Sequence, residues 1–170
     1  MSIKIQNIAY LLIGTNMGNR ISYLDVAISH LQKNFSVFNV SSIYETEAWG
    51  LEDQAPFLNQ VVAIRTNVNE MKLLDKVLEI EQVMGRERHE KWGPRVIDID
   101  VLYYNDAVVE EIRLIIPHPQ IPNRRFVLVP LVELIPNYIH PQLKCSNLTL
   151  LNDCLDNLEV VKFQDAPILD

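Results

Sequence analysis

Residues 7–13 (Asn-Ile-Ala-Tyr-Leu-Leu-Ile) form an apolar run that stops at Gly14, the pattern of a buried central strand. The six residues 14–19 (Gly-Thr-Asn-Met-Gly-Asn) then tolerate unusual backbone angles and make a turn. A phosphate cradle is the rival reading, but neither P-loop nor dinucleotide-fold glycine spacing is present. Ile21, Leu24, Ala27, Ile28 and Leu31 recur at helical spacing behind Asn19, a suitable N-cap. Residues 37–44 are β-branched and aromatic, a second strand, and residues 57–66 are a third. Between them, residues 45–56 lose periodicity over a length too great for a hairpin turn, so they are a functional-loop candidate.

Asn69 caps a second predicted helix with Leu74, Val77, Leu78 and Met84 on its inner stripe, ended by Gly85. Glu81 falls on that stripe, either at its rim or paired with a cation. Residues 86–94 are an aperiodic loop of charges, Gly and Pro. In the next strand Ile97, Ile99 and Val101 alternate with Asp98, Asp100 and Leu102. Asn105-Asp106 should turn it into a short partner strand at 107–109. The order strand, helix, strand, strand, helix, strand predicts an α+β fold with a ferredoxin-like βαββαβ core, an antiparallel sheet carrying two helices on one face. A C-terminal extension follows. Pro117, Pro119 and Pro122 keep residues 116–123 extended or turned. Residues 126–134 form a short helix despite Pro130, and 147–155 another. No repeat or linker interrupts the chain, so residues 1–170 are expected to be a single domain.

A period of two puts Asp98 and Asp100 on one face of their strand. Side by side they repel, and Asp is poorly suited to strands. A hard divalent cation would compensate; Mg²⁺ needs only one or two protein carboxylates when phosphates and water complete its shell. A solvent-facing acidic edge is the bland alternative.

Composition narrows the choice. The chain of 170 residues is 48% hydrophobic with a net charge of −7, and its mean hydropathy is near zero, at +0.04. That argues against broad nucleic-acid or acidic-membrane binding. The basic residues are nevertheless locally concentrated, with Arg86, Arg88, Lys91 and Arg95 inside ten residues, which suits a small anionic ligand. No apolar run is long enough to span a bilayer and no leader pattern opens the chain, so the expected location is the cytoplasm. Cys145 and Cys154 lack metal-ligand spacing and read as reduced structural thiols.

Two carboxylates, clustered cations and the Pro-rich segment carrying His118, Arg124 and Phe126 fit phosphoryl or nucleotidyl transfer, where alignment and charge stabilisation carry catalysis. No nucleophilic triad order or zinc spacing of histidines stands out. Trp92 either stacks on a base or anchors its loop by packing. Phe57, Asn59 and Phe126 are core residues by default, yet two rings and an amide also suit a flat heterocycle. An RNA-binding or small-ligand regulatory module is the non-enzymatic rival, and a nucleotidyltransferase the enzymatic one. The acidic charge and missing RNA-recognition aromatics count against RNA.

The dodecamer Lys91-Trp92-Gly93-Pro94-Arg95-Val96-Ile97-Asp98-Ile99-Asp100-Val101-Leu102 resembles the signature of the 6-hydroxymethyl-7,8-dihydropterin pyrophosphokinase family of folate biosynthesis. The likeness continues in order through Gly14-Thr15-Asn16-Met17-Gly18, Tyr44-Glu45-Thr46, Asp53-Gln54, Phe57-Leu58-Asn59, Glu81, Gly85-Arg86 with Arg88, Pro117-His118 and Asn123-Arg124-Arg125-Phe126. It implies that ATP donates its pyrophosphoryl group to the pterin hydroxymethyl oxygen, releasing AMP. Asp98 and Asp100 would hold two Mg²⁺ ions with ATP, and Arg86 and Arg95 would be catalytic. Glu81, Arg88, Trp92, Arg95, Arg113, His118 and Arg124 would contact the nucleotide or its phosphates. Phe57 and Phe126 would sandwich the pterin while Asn59 and the backbone near Thr46 read its edge. Loops 46–56 and 85–95 would close as lids. ATP and the pterin are the implied partners, of a monomeric enzyme binding neither nucleic acid nor membrane. Thr15 stands for the family's usual Ser, Phe57 where some relatives have Tyr, and Ala55 where relatives often read Asp-Gln-Pro. The chain is too short to include the synthase or aldolase domains fused to some relatives.

Overall fold

Two long antiparallel neighbours, β1 (Asn7–Thr15) and β4 (Phe57–Thr66), form the middle of the sheet. The computed structural model describes residues 6–47, 54–85 and 96–164. Helix α1 (Arg20–Asn34) follows β1, then β2 (Ser36–Val40) and β3 (Tyr44–Thr46). After β4 come α2 (Glu70–Val83) and β5 (Asp98–Tyr104). The remainder holds a small hairpin, β6 (Val109–Glu110) and β7 (Ile115–Ile116), then α3 (Arg125–Leu134), α4 (Asn147–Asp153) and β8 (Val160–Lys162). The main sheet runs β5-β1-β4-β3-β8, with β2 also on β4, and every pairing is antiparallel.

Local signals explain the helix starts. The Asn19 side chain accepts from Ser22 N–H at 3.1 Å and the Asn69 side chain from Lys72 N–H at 2.9 Å, each satisfying an amide the helix cannot. Helix α2 ends at Gly85, whose φ of +86° suits a residue without Cβ.

The sheet is covered on both faces. Leu11 and Ile13 of β1 and Ile99 and Val101 of β5 pack with Leu24, Ala27 and Leu31 of α1 and Leu73, Val77 and Ile80 of α2. The opposite face uses Leu12, Val61, Leu102 and Tyr103 against Val127, Leu128 and Leu131 of α3 and Leu150 of α4. An unbroken apolar run on β1 is what a strand buried on both sides requires.

Two sequence expectations change. The strand read over 37–44 is two strands on one partner: β2 pairs the far half of β4 and β3 the near half. Ser41, between them, bonds β4 at 2.9 Å through its hydroxyl, which accepts from Val61 N–H, as well as through its own N–H. The strand after Asn105-Asp106 pairs Ile115–Ile116 and not β5. The outer edge of β5 is engaged elsewhere, Ile99 N–H by the Glu81 carboxylate and the Leu102 carbonyl by His118 N–H.

Candidate functional site

Helices α3 and α4 cover only part of their face of the sheet, and the uncovered end is a cleft of about 580 Å³, its open mouth included. Its floor is built from the ends of three adjacent strands. Gly14 of β1 lies between Asn59 of β4 and Asp98 of β5, and Leu12 lies opposite Asp100. Asp98 and Asp100 both line the cleft, while Ile99 between them points into the core on the far side, as strand alternation demands. The walls are Thr46 and Glu47 at the end of β3, Phe57 at the start of β4, and Arg124 and Phe126 at the start of α3.

Polar groups in the floor are held by specific contacts. Asn59 and Thr46 are both almost fully buried, and the Asn59 amide donates to the Thr46 hydroxyl at 3.4 Å. A Cβ on Gly14 would come within 2.6 Å of the Asn59 side-chain oxygen. Glycine is therefore required here by close approach and not by backbone angle. Glu81, at the end of α2, is buried and accepts from Ile99 N–H at 2.7 Å, so it grips the backbone between the two aspartates. Of the two sequence readings of Glu81, the rim position is ruled out by this burial.

The walls are tied to each other. Glu133 of α3 accepts from Ser42 N–H, the Ser42 hydroxyl and the Tyr44 hydroxyl. Burial opposes ionisation of Glu133, but those hydrogen bonds hold its carboxyl below the usual range, and burial together with Glu133 pushes Tyr44 up to about 12. Asp156 accepts from Arg125 N–H at 2.9 Å and anchors the first turn of α3. The Arg124 guanidinium lies 5.7 Å from the centre of the Phe126 ring, within cation–π range.

His118 sits beside this cluster. Burial lowers its pKa from 6.5 to about 4, Arg124 acts the same way, and Asp98 opposes both. Its Nδ1 accepts from Gln120 N–H at 3.1 Å. A neutral imidazole that accepts at Nδ1 carries its proton on Nε2 and offers a donor there.

The structure thus gathers Asp98, Asp100, Thr46, Phe57, Asn59, Phe126 and Arg124 around one cleft. Arg113 does not line it; its guanidinium pairs with Asp75 of α2 at 2.8 Å. Arg86, Arg88, Trp92 and Arg95 lie outside the described residues. Gly14, Glu47 and Leu12 line the cleft without having been singled out for it by the sequence. A glycine closing an apolar strand was the available signal for the first; the other two carry none.

Residues 10–136 match the family model described as 7,8-dihydro-6-hydroxymethylpterin-pyrophosphokinase (HPPK). The chain belongs to this family. It is 44% identical over 132 residues to the 2-amino-4-hydroxy-6-hydroxymethyldihydropteridine pyrophosphokinase of Aquifex aeolicus, covering 78% of this chain and 82% of that one. The corresponding enzyme of Bacillus subtilis is 46% identical over 132 residues, 76% of this chain and 79% of its own length. The folic acid synthesis protein fol1 of Schizosaccharomyces pombe is 43% identical over 136 residues, 79% of this chain but 19% of the longer protein. Among solved structures, an HPPK-DHPS in complex with substrates superposes with a TM-score of 0.73 at 20% identity, over 87% of this chain and 43% of that one. That likeness carries the fold. The HPPK match ends at residue 136, so α4, β8 and the Asp156 anchor lie beyond it.

Proposed function

We propose that this HPPK-family chain transfers the pyrophosphoryl group of ATP to the hydroxymethyl oxygen of 6-hydroxymethyl-7,8-dihydropterin, giving the pterin diphosphate and AMP. The observation that carries the reading is the convergence in one cleft of a paired carboxylate, an Arg, two aromatic rings and a buried amide. The core, β1-α1-β2/β3-β4-α2-β5, is best described as ferredoxin-like, with α3 and α4 added on its second face.

Phe57 and Phe126 supply flat apolar surface for the pterin, and Asn59 with Thr46 offers hydrogen-bonding groups to its edge. A heterocycle held there brings its hydroxymethyl arm toward Asp98 and Asp100. These two carboxylates share one face and reach the cleft, a hard oxygen donor set that fits Mg²⁺ completed by phosphate and water. Bound there, Mg²⁺ supplies neutralisation of phosphate charge and, for the acceptor oxygen, a lowered proton affinity; two ions with ATP is the stoichiometry we propose. Arg124 offers donors to phosphate oxygens, and His118, neutral at pH 7, donates from Nε2 without adding charge. Arg86 and Arg95 are assigned as catalytic, and Glu81, Arg88, Trp92 and Arg113 as nucleotide-side residues, on the family resemblance.

The test is ³¹P NMR of ATP, Mg²⁺ and the pterin with the enzyme. AMP and a pterin diphosphate are expected. Free pyrophosphate with an adenylylated product would instead identify a nucleotidyltransferase, and ADP with pterin monophosphate an ordinary kinase. Asp98→Ala and Asp100→Ala should each lower kcat by at least about a hundredfold, the scale of losing a charge-stabilising group, with the circular dichroism spectrum unchanged. Full turnover in both variants would reject the metal assignment.

A further inference from the structure

Arg20, the first residue of α1, does not line the cleft, yet it spans the two chain ends that build one wall of it. One guanidinium nitrogen lies 2.8 Å from the Glu45 carboxylate and donates to the Pro56 carbonyl at 2.8 Å. Glu45 immediately precedes Thr46, and Pro56 immediately precedes Phe57. Thr46 and Phe57 are register partners in the β3–β4 ladder, and both face the cleft. That ladder joins only three residue pairs, Tyr44 with Asn59, Glu45 with Leu58 and Thr46 with Phe57. So short a pairing is weakly held at its last pair, Thr46 with Phe57, where a long connection and not a tight turn joins the strands. Arg20 secures that end by joining the backbone carbonyl just ahead of β4 to a side chain of β3.

The far side of the guanidinium is backed by Phe163, with the ring centre 5.7 Å from the guanidinium carbon. Phe163 is placed by β8, which pairs with β3, and its N–H donates to the Ile43 carbonyl at 2.8 Å. Asn16 works beside Arg20, its amide donating to the Gln54 side chain at 3.0 Å and to the Ala55 carbonyl at 3.2 Å. The chain leading into Phe57 is thereby gripped at residues 54 and 55 from the turn that follows β1 and at residue 56 from the start of α1.

We infer that Arg20 is a positioning residue for pterin recognition: by bridging Glu45 and Pro56 with Phe163 behind it, it fixes Thr46 and Phe57 at their separation across the ladder. The inference rests on the pterin reading of the cleft. It assigns Arg20 no contact with nucleotide or metal, whose proposed residues all fall between Glu81 and Arg124 in the chain. The effect of losing it must therefore fall on one substrate and not the other. The bridge uses one nitrogen for both contacts, and a lysine ammonium has donors enough to replace part of it.

The experiment measures the Kd of the pterin in the presence of Mg²⁺ and a non-hydrolysable ATP analogue, the Kd of the analogue itself, and steady-state KM and kcat. Arg20→Ala should weaken pterin binding about fivefold, the scale of one charge-assisted contact at a partly exposed site, with nucleotide affinity unchanged. Arg20→Lys should recover most of the loss, and Glu45→Gln should show a smaller loss of the same selectivity. Unchanged pterin affinity with a lowered melting temperature would overturn the inference, as would equal weakening of both ligands. If Arg20→Ala does not fold, the Lys and Gln variants decide by the same selectivity. Absence of AMP formation by the wild-type enzyme, with pterin bound normally, would count against the reaction and leave the positioning role standing on the binding data.

Discussion

Gly14 and Asn59 share one space. The side chain that Gly14 lacks would overlap the Asn59 oxygen at 2.6 Å, so Gly14→Ala must push the amide out of the cleft floor. The expected result is a rise in pterin KM of about tenfold or more, the scale of losing a hydrogen-bonding group matched to a substrate, with a much smaller change in nucleotide affinity; steady-state kinetics with each substrate varied would check it. His118 gives a second residue-scale expectation, in pH. Its folded pKa of about 4 lies below the ordinary 6.5, so the unfolded chain takes the proton first. The preference for the folded state is complete above about pH 6.5, is lost as pH falls toward about 4, and amounts to at most about 3 kcal/mol. Urea unfolding at about pH 7 and about pH 4.5 should show a steeper loss for wild type than for His118→Gln. Equal slopes would mean that His118 is not held neutral.

At the scale of elements, the α2–β5 contact governs the site. Glu81 reaches across from the last turns of the helix to Ile99 N–H, fixing the backbone that carries Asp98 and Asp100. Glu81→Ala leaves that amide without this acceptor, at a cost of about 1–3 kcal/mol, and should depress kcat because the two carboxylates lose their fixed spacing. Glu81→Gln keeps an oxygen in place and should retain more activity. A kcat equal to wild type in both would separate the strand from the chemistry. The capping asparagines and the helical stripes were legible locally, because a cap bond reaches only three residues along the chain. Division of residues 36–46 into β2 and β3 was not. It depends on Ser41 being drawn to Val61 of a strand some twenty residues away.

Across the whole molecule, the cleft exists because the second face of the sheet is only partly covered. Tyr103 of β5 donates to Asn147 of α4 at 2.7 Å within that second core, and the Asn147 amide donates onward to the Ile135 carbonyl. Tyr103→Phe keeps the ring but leaves a fully buried acceptor without this donor, for a loss of about 1–3 kcal/mol. Denaturant unfolding should report it as a lower midpoint with an unchanged slope. Because α3 carries Phe126, a variant that loosens this layer should also weaken pterin binding, measurable by direct titration below the unfolding transition.

The sequence alone determined the long strands β1, β4 and β5 and the four helices, where α1 and α2 begin, that Asp98 and Asp100 share a face, and through the residues around them the family. All of these follow from periodicity or from groups a few positions apart. Tertiary structure alone decided that α3 and α4 shield only part of the sheet's second face, that Gly14 yields its space to Asn59, that Glu81 grips Ile99, and that Arg20 joins Glu45 to Pro56. Each of these is set by strand register and by which layers meet, and groups eighteen to forty-five residues apart in the chain carry no local pattern announcing that they will touch.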